Sequence, residues 1–528
     1  MSARAARRQR QSEVAADRYR HSKLPSREQL QRENERLRQE NEQLRRDVVE
    51  REKQIADAEK QIADAEKQIA HLERQLALRK RNSTNSSKPP SSDGLAGEQR
   101  PRGRKHKNQS PRKPGGQPGH TGHHRPLAPT AEVDAVEVLL PQRCRHCGGQ
   151  LPQTPGTVTT QGEPRRHQVT EVPPVRAHIT EYQLPNVVCG HCGKTTSARF
   201  PEEVRGNFGP QLTALIAYWT VVCRLPRRLV EAMLADVLGI EISLGSTQKA
   251  WEEVSQAVQP PVQQLQEQLP QEAVLNVDET GWRTSGDKRW LWALVAPQFV
   301  FYLVAATRGA EVLVSLLGAV FRGILCCDRW VVYLTYHSGR MQLCWAHLKR
   351  NILGIADCAR SPSAQQFCRD ALAIVARLFR LWYRFRGDLR DRRGNPQPLD
   401  RQQLIEKSIP LQKKLFALAE AHLDDADREV RNMATALFVH FERLFTFLEV
   451  EGVEPTNNVS ERILRTAVQW RKISFGNRSR NGEIATARLL TVTQTCKRQQ
   501  RHVLGYLTDA VRCHRSQAPA PLLLPQRP

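Results

Sequence analysis

VLNVDETGW, residues 274–282, is the stretch on which the fold turns. Val274, Leu275 and Val277 lead into Asp278, and an apolar, β-branched run closed by an acid reads as a buried strand that delivers a carboxylate to a sheet edge. Downstream, the apolar run 290–306, interrupted by Pro297 and Gln298, reads as two strands joined by a turn, and residues 309–321 read as a helix. GILCCDRW, residues 323–330, repeats the first pattern, with Ile324, Leu325 and two cysteines leading to Asp328. Strands followed by helices predict an α/β core. Two desolvated acids side by side repel each other, and a divalent cation relieves that repulsion. A carboxylate that caps the next turn explains either acid singly, but explains the pair less well.

In-line attack on a phosphodiester between two metal ions needs a third carboxylate, and Glu461 is the candidate. It sits in PTNNVSERILRTAVQWRKISFGNRSR, residues 455–480, where Asn458 or Ser460 can cap a helix. On that helix Arg465 lies one turn after Glu461, and Lys472 returns to nearly the same face. With Arg462 and Arg471 these cations crowd the carboxylate and are candidates for DNA phosphates. The plainer reading is a surface helix laced with salt bridges.

Upstream, residues 30–76 hold one heptad register, with Leu30, Leu37, Leu44, Ala58, Ala65 and Leu72 at d. The a positions are Asn34, Asn41, Val48, Ile55, Ile62, Ile69 and Leu76. A coiled coil over 28–80 follows, and the two asparagines at a favour a homodimer of fixed register. Residues 81–132 are a basic linker too poor in apolar groups to bury a core. Between Arg81 and Thr130 stand ten Lys or Arg against two acids, Asp93 and Glu98. The linker holds two distinctive words, NSTNSSKPPSSD from Asn82 and RKPGGQPGHTGHH from Arg112. It is a disordered tether, a clamp on DNA phosphates, or both.

Residues 133–205 carry CRHC, with Cys144 and Cys147, and CGHC, with Cys189 and Cys192. Two knuckles that each present a pair of thiolates complete the tetrahedral shell that Zn²⁺ prefers, which predicts a zinc ribbon. Residues 206–268 read as helical. A helix from Arg227 ending at Leu238, a turn at Gly239 and a second helix from Ser243 or Ser246 give a helix-turn-helix outline, a shape that serves DNA reading or plain packing.

The chain has 528 residues and a net charge of +25, which favours polyanionic partners. No apolar run is long enough for a membrane-spanning helix, and the basic N-terminus lacks the apolar core of a secretory signal, so a cytoplasmic, nucleoid-associated protein is expected. Of the twelve cysteines, four are the paired ones and the rest are scattered through apolar surroundings, which fits a reducing compartment.

Taken in order, SSKPPSSD, RKPGGQPGHTG, the two Cys-x-x-Cys knuckles, VDETGW, CDRW, CWAHLKR (344–350) and NNVSERILR followed by RKISFGNRS resemble the insertion sequence 66 family of bacterial DDE transposases over about residues 28–500. Arg329 after the second acid and the RKISFG spelling depart from the family pattern. The resemblance implies a ribonuclease-H-like catalytic core over 271–356 and 451–500, interrupted by a helical insertion over 357–450 and followed by a tail, 501–528. It also implies that Asp278, Asp328 and Glu461 hold Mg²⁺ or Mn²⁺. In CWAHLKR, Cys344 and His347 stand at i and i+3 on a helix, and His347, Lys349 and Arg350 are further DNA-contact candidates. The implied activity is metal-dependent cleavage of double-stranded DNA at element ends and strand transfer into target DNA, with companion proteins of the element as further partners. The rival readings are a catalytically inactive, dimeric, zinc-containing DNA-binding repressor and a structure-specific nuclease.

Overall fold

The computed structural model describes residues 7–14, 26–80, 85, 126–154, 156, 161–202, 204–389 and 398–524. The chain divides into two compact units, Met1–Asn82 and Ser83–Pro528. Most of the basic linker, including RKPGGQPGHTGHH, lies outside the described residues.

Among the described residues of the first unit, 7–14 are helical and the dominant element is one long helix, α1, Arg27–Lys80. Its start is fixed by a reciprocal cap: Gln29 N–H donates to Ser26 Oγ at 3.2 Å, and Ser26 N–H donates to Gln29 Oε1 at 2.9 Å. Leu30, Leu37, Leu44, Val48, Ile55, Ile62, Ile69 and Leu72 are all exposed, so the predicted seam forms an apolar stripe along the helix.

In the second unit, the described residues between 126 and 202 are mostly irregular. One short hairpin, β1 (Asn186–Val188) with β2 (Thr195–Ser197), brackets the second knuckle. Helices α2 (Pro210–Val221), α3 (Arg227–Leu238), α4 (Leu244–Ala257) and α5 (Gln259–Gln268) follow. Gly239 ends α3 in the left-handed region with φ of 62°, and Ser243 caps α4 by accepting the N–H of Ser246. The expected helical hairpin is therefore formed. Its second helix is largely a core element, because Thr247, Ala250, Trp251, Val254, Ser255 and Ala257 are buried and Trp251 meets Trp470 edge-on at 5.7 Å. Little of α4 beyond Gly245, Lys249, Glu252 and Gln256 faces outward, which is a poor surface for reading bases.

The core is a mixed five-stranded sheet in the order β5-β4-β3-β6-β7, built from β3 (Val274–Thr284), β4 (Asp287–Val295), β5 (Val300–Ala305), β6 (Ile324–Cys327) and β7 (Met341–Leu343). The first three strands form an antiparallel meander, and β6 and β7 run parallel to β3. Asp328 follows β6, as the sequence predicts. Asp278 does not end its strand: β3 continues to Thr284, because β4 pairs with it all the way to a two-residue turn at Ser285 and Gly286, both at positive φ. What stops near Asp278 is the parallel pairing with β6, which reaches only Asn276.

Helices α6 (Ala310–Leu317) and α7 (Val331–Tyr336) flank the parallel strands, and α8 (Trp345–Cys358) leads into three further helices. These are α9 (Pro362–Phe385), α10 (Arg401–Ala421) and α11 (Arg428–Val439), followed by the short α12 (Thr446–Glu449). The chain returns through α13 (Asn458–Ser474) and α14 (Arg480–Arg498). Helix α14 closes the sheet edge: Thr495 Oγ1 accepts the N–H of Val300 at 3.1 Å, and Thr491 Oγ1 accepts that of Tyr302 at 2.9 Å, so β5 leaves these donors satisfied. Residues 501–528 carry a helix, α15 (Val503–Arg515), where the sequence suggests only a tail. The buried Arg515 grips Glu253 through Nε at 2.7 Å and Nη2 at 3.0 Å, and donates to the Phe208 carbonyl at 2.8 Å.

Candidate active site

Each predicted acid is delivered by a different element. Asp278 comes from the central strand β3, Asp328 from the end of its parallel neighbour β6, and Glu461 from the first turn of α13. The last depends on Asn457. Its amide donates from Nδ2 to the Val277 carbonyl at 2.8 Å and accepts from Asn276 Nδ2 at 3.0 Å, while its N–H donates to Cys344 Sγ at 3.1 Å. The NNVSER word is thereby stapled to β3 one residue before Asp278. The helix cap falls on Asn457 rather than on Asn458 or Ser460, and its side chain is spent on the strand instead of on the helix.

The acids feel one another. Burial pushes the Asp278 carboxyl well above its ordinary value, and the negative charges of Glu279, Asp328 and Glu461 push it further. One N–H, that of Glu279, opposes the shift by donating to Asp278 Oδ1 at 3.0 Å. Burial also raises Asp328, against the N–H of Trp330, which donates to Oδ1 at 2.8 Å, and against Arg308, Arg329 and Arg350. Hard carboxylate oxygens of which one, Asp278, is buried among negative charges with no cation of its own suit a divalent cation.

Glu461 is held from α8. Arg350 Nη2 donates to Glu461 Oε1 at 2.8 Å, and His347 Nε2 lies 3.5 Å from the same oxygen. Burial, then Arg350 and Arg329, lower the His347 pKa to about 3, so the imidazole is neutral at physiological pH. Its Nδ1 is buried without a partner. Cys344, His347 and Glu461 together form a compact donor set, with ligand atoms all within 4.8 Å of one another. Among the described residues, Asp278, Asp328 and Glu461 do not form such a tight group, nor do the four cysteines of the two knuckles.

The remaining DNA-contact candidates divide. Lys349, Arg462, Arg465 and Lys472 are exposed. Arg471 instead donates Nη1 to the Gly281 carbonyl within the fold. RKISFGNRS docks on the β3–β4 hairpin: Trp282 Nε1 donates to Asn477 Oδ1 at 2.6 Å, and a Cβ on Gly476 would collide with the Arg283 carbonyl.

One buried ensemble has no counterpart in the sequence reading. Glu279 accepts from Arg308 Nε at 2.6 Å and from the Tyr333 hydroxyl, while the Arg308 guanidinium lies over the rings of Trp330, at 3.8 Å, and Trp290, at 5.0 Å. Only the adjacency of Glu279 to Asp278 in VDETGW could have hinted at it.

The two knuckles share one backbone pattern. Gly148 N–H donates to the Cys144 carbonyl at 2.9 Å, Gly193 N–H donates to the Cys189 carbonyl at 2.8 Å, and both glycines sit at positive φ. The thiols of Cys144 and Cys189 are held below their ordinary value, chiefly by the backbone N–H groups of Cys147 and Cys192 respectively.

Comparison with known proteins adds the family context. A model described as the transposase IS66 family matches residues 205–485, and one described as a family of unknown function (DUF6444) matches residues 21–126. An uncharacterized protein of Sinorhizobium fredii, y4qI, is 27% identical over 245 residues, which is 42% of this chain and 43% of that protein. The chain thus spans less than half the length of that relative.

Proposed function

The chain belongs to the IS66 family of transposases, and from that premise we propose that it cuts DNA at the ends of a mobile element and joins those ends to target DNA, using Asp278, Asp328 and Glu461. The observation that carries this reading is the position of Asp278 on the central strand, beside Asp328 at the end of the parallel neighbour, with its carboxyl raised by burial and then by the charges of Glu279, Asp328 and Glu461. Strand order and acid placement favour a ribonuclease-H-like core: an antiparallel meander joined to two parallel strands, with acids on the central strand and at the end of its parallel neighbour.

Mg²⁺ or Mn²⁺, when bound, supplies positive charge that offsets the three carboxylates and polarises the scissile phosphodiester. The chain's residues do the rest. Asp278 and Asp328 hold their oxygens on the rigid strands β3 and β6. Glu461 exchanges its Arg350 partner for the site, which frees the guanidinium for a phosphate oxygen. Lys349, Arg462, Arg465 and Lys472 remain exposed for the DNA backbone. Attack of a water oxygen on phosphorus breaks the P–O3′ bond, leaving a 3′-OH on the element end and a 5′-phosphate on the flank. That 3′-OH then attacks a target phosphodiester, forming a new P–O bond as the target's own P–O3′ bond breaks and its O3′ takes the proton. Zn²⁺ on Cys144, Cys147, Cys189 and Cys192, and a homodimer through the stripe of α1, complete the reading.

Purified protein with labelled element-end DNA and Mg²⁺ or Mn²⁺, resolved on a denaturing gel, tests the proposal. Nicked ends and joined products are expected. Tight binding with no cleavage in any divalent ion, even with the element's companion proteins added, supports a repressor instead.

A further inference from the structure

Helix α8 carries a glycine in its interior, where glycine is destabilising relative to alanine. Gly354 does not sit at positive φ, so the backbone does not demand it. The demand comes from Asn85. A Cβ on Gly354 would fall well inside 3.0 Å of the Asn85 main-chain oxygen, a distance real Cβ atoms essentially never show. Asn85 is itself only 6% exposed, and its Nδ2 donates to Asp357 Oδ2 at 2.9 Å. These partners are 272 positions apart in sequence. A buried asparagine bonded across that distance, facing a glycine that clears room for its carbonyl, is a specific docking contact.

The face it docks on is the one that touches the candidate site. His347, Arg350, Gly354 and Asp357 follow spacings of three and four and so share one side of α8. His347 and Arg350 both lie against Glu461. Gly354 is about 6 Å further along the axis than Arg350, at 1.5 Å per residue.

We infer that the C-terminal half of this face is the docking surface for the segment of this chain that carries Asn85, with Asn85 as its anchor. Lys88 follows this anchor by three residues in sequence, so the anchor tethers the cations that begin there to the helix carrying His347 and Arg350, and we assign those cations to DNA phosphates. The second statement rests on the proposed DNA chemistry. The docking itself does not.

Hydrogen exchange on the full chain tests the docking. Amides around Asn85 are expected to be protected at least about tenfold over an unstructured peptide. Gly354→Ala gives opposite signs for the two accounts: without docking it stabilises α8 and changes nothing else, whereas with docking it evicts Asn85 and abolishes the protection. Asn85→Asp sets a second carboxylate against Asp357 and removes protection too, and adding Asp357→Asn restores it by reversing the donor. Unprotected amides in the parent protein, or protection that survives Gly354→Ala, overturn the docking. In salt titrations of element-end DNA binding, Gly354→Ala is expected to weaken affinity and flatten the salt dependence, and unchanged affinity overturns the role given to the basic stretch. Failure to bind DNA at all would sink the proposed function while leaving the exchange result standing.

Discussion

The core acids and the paired cysteines are two sets of potential metal ligands built on opposite principles. Asp278, Asp328 and Glu461 ride on elements already fixed by the sheet and by the Asn457 staple. Around the knuckles, by contrast, Leu139, Val169 and Ile179 are each more than 80% exposed, and the β1–β2 hairpin has no buried residue. In the core the fold makes the site. Around the cysteines, on the proposed zinc reading, the ion would make the fold, as in small zinc modules generally.

That contrast fixes the sign and size of what substitutions do. The largest effect belongs to the acids. Asp278→Asn or Glu461→Gln is expected to lower DNA cleavage by orders of magnitude, since a ligand is lost from a site that needs all three, while DNA binding survives. Glu454→Gln, whose residue pairs with Arg386 at 3.1 Å outside the site, serves as the control and keeps activity. Normal cleavage by Glu461→Gln would remove the third ligand from the account.

Cys189→Ser, or chelation of zinc, is expected to unfold residues 133–202 while the melting of the sheet domain stays put. Proteolysis followed by mass spectrometry reads the first, and calorimetry the second. One cooperative loss of both would erase the distinction between the regions.

Within the core, Arg308→Ala strands Glu279, 2% exposed, without its cation, and should cost on the order of 3 kcal/mol in chemical denaturation. Adding Glu279→Gln should recover part of that loss. Asn457→Ala leaves Asn276 and the Val277 carbonyl unpaired, at about 1–3 kcal/mol. Because Asn457 also sets the position of Glu461, cleavage should fall about 10–100-fold.

The smallest effect has an unexpected sign. Asp278 is raised above its ordinary value of 3.8, so its contribution to the metal-free fold is fully present below that pH and is lost as pH rises through the raised value. At pH 8 without divalent ions, Asp278→Asn should therefore raise the stability read by chemical denaturation, a gain that fades toward pH 4. Adding Mg²⁺ should stabilise the parent and not the variant.

These residues also mark how far the sequence could be read. Asp328 at a strand end, Glu461 on a helix and the α3–α4 hairpin are local patterns, and local patterns were legible. Asp278 was identified, but its strand runs six residues further, because cross-strand pairing with β4, and not the apolar run, sets the end. The partnership of Arg308 with Glu279, and of Arg471 with the Gly281 carbonyl, exists only once the sheet has formed. A basic residue expected on DNA and one that staples a hairpin look alike in sequence. Helix α4 shows the same limit: its outline is local, and its burial by Trp470 and the C-terminal helix is not.

The most direct test of the central claim is anomalous scattering from Mn²⁺ in crystals of the full chain. The account predicts a peak that Asp278 and Asp328 would hold, with Glu461 released from Arg350 toward it. A peak enclosed instead by Cys344, His347 and Glu461, with Asp278 and Asp328 free of metal, would contradict it.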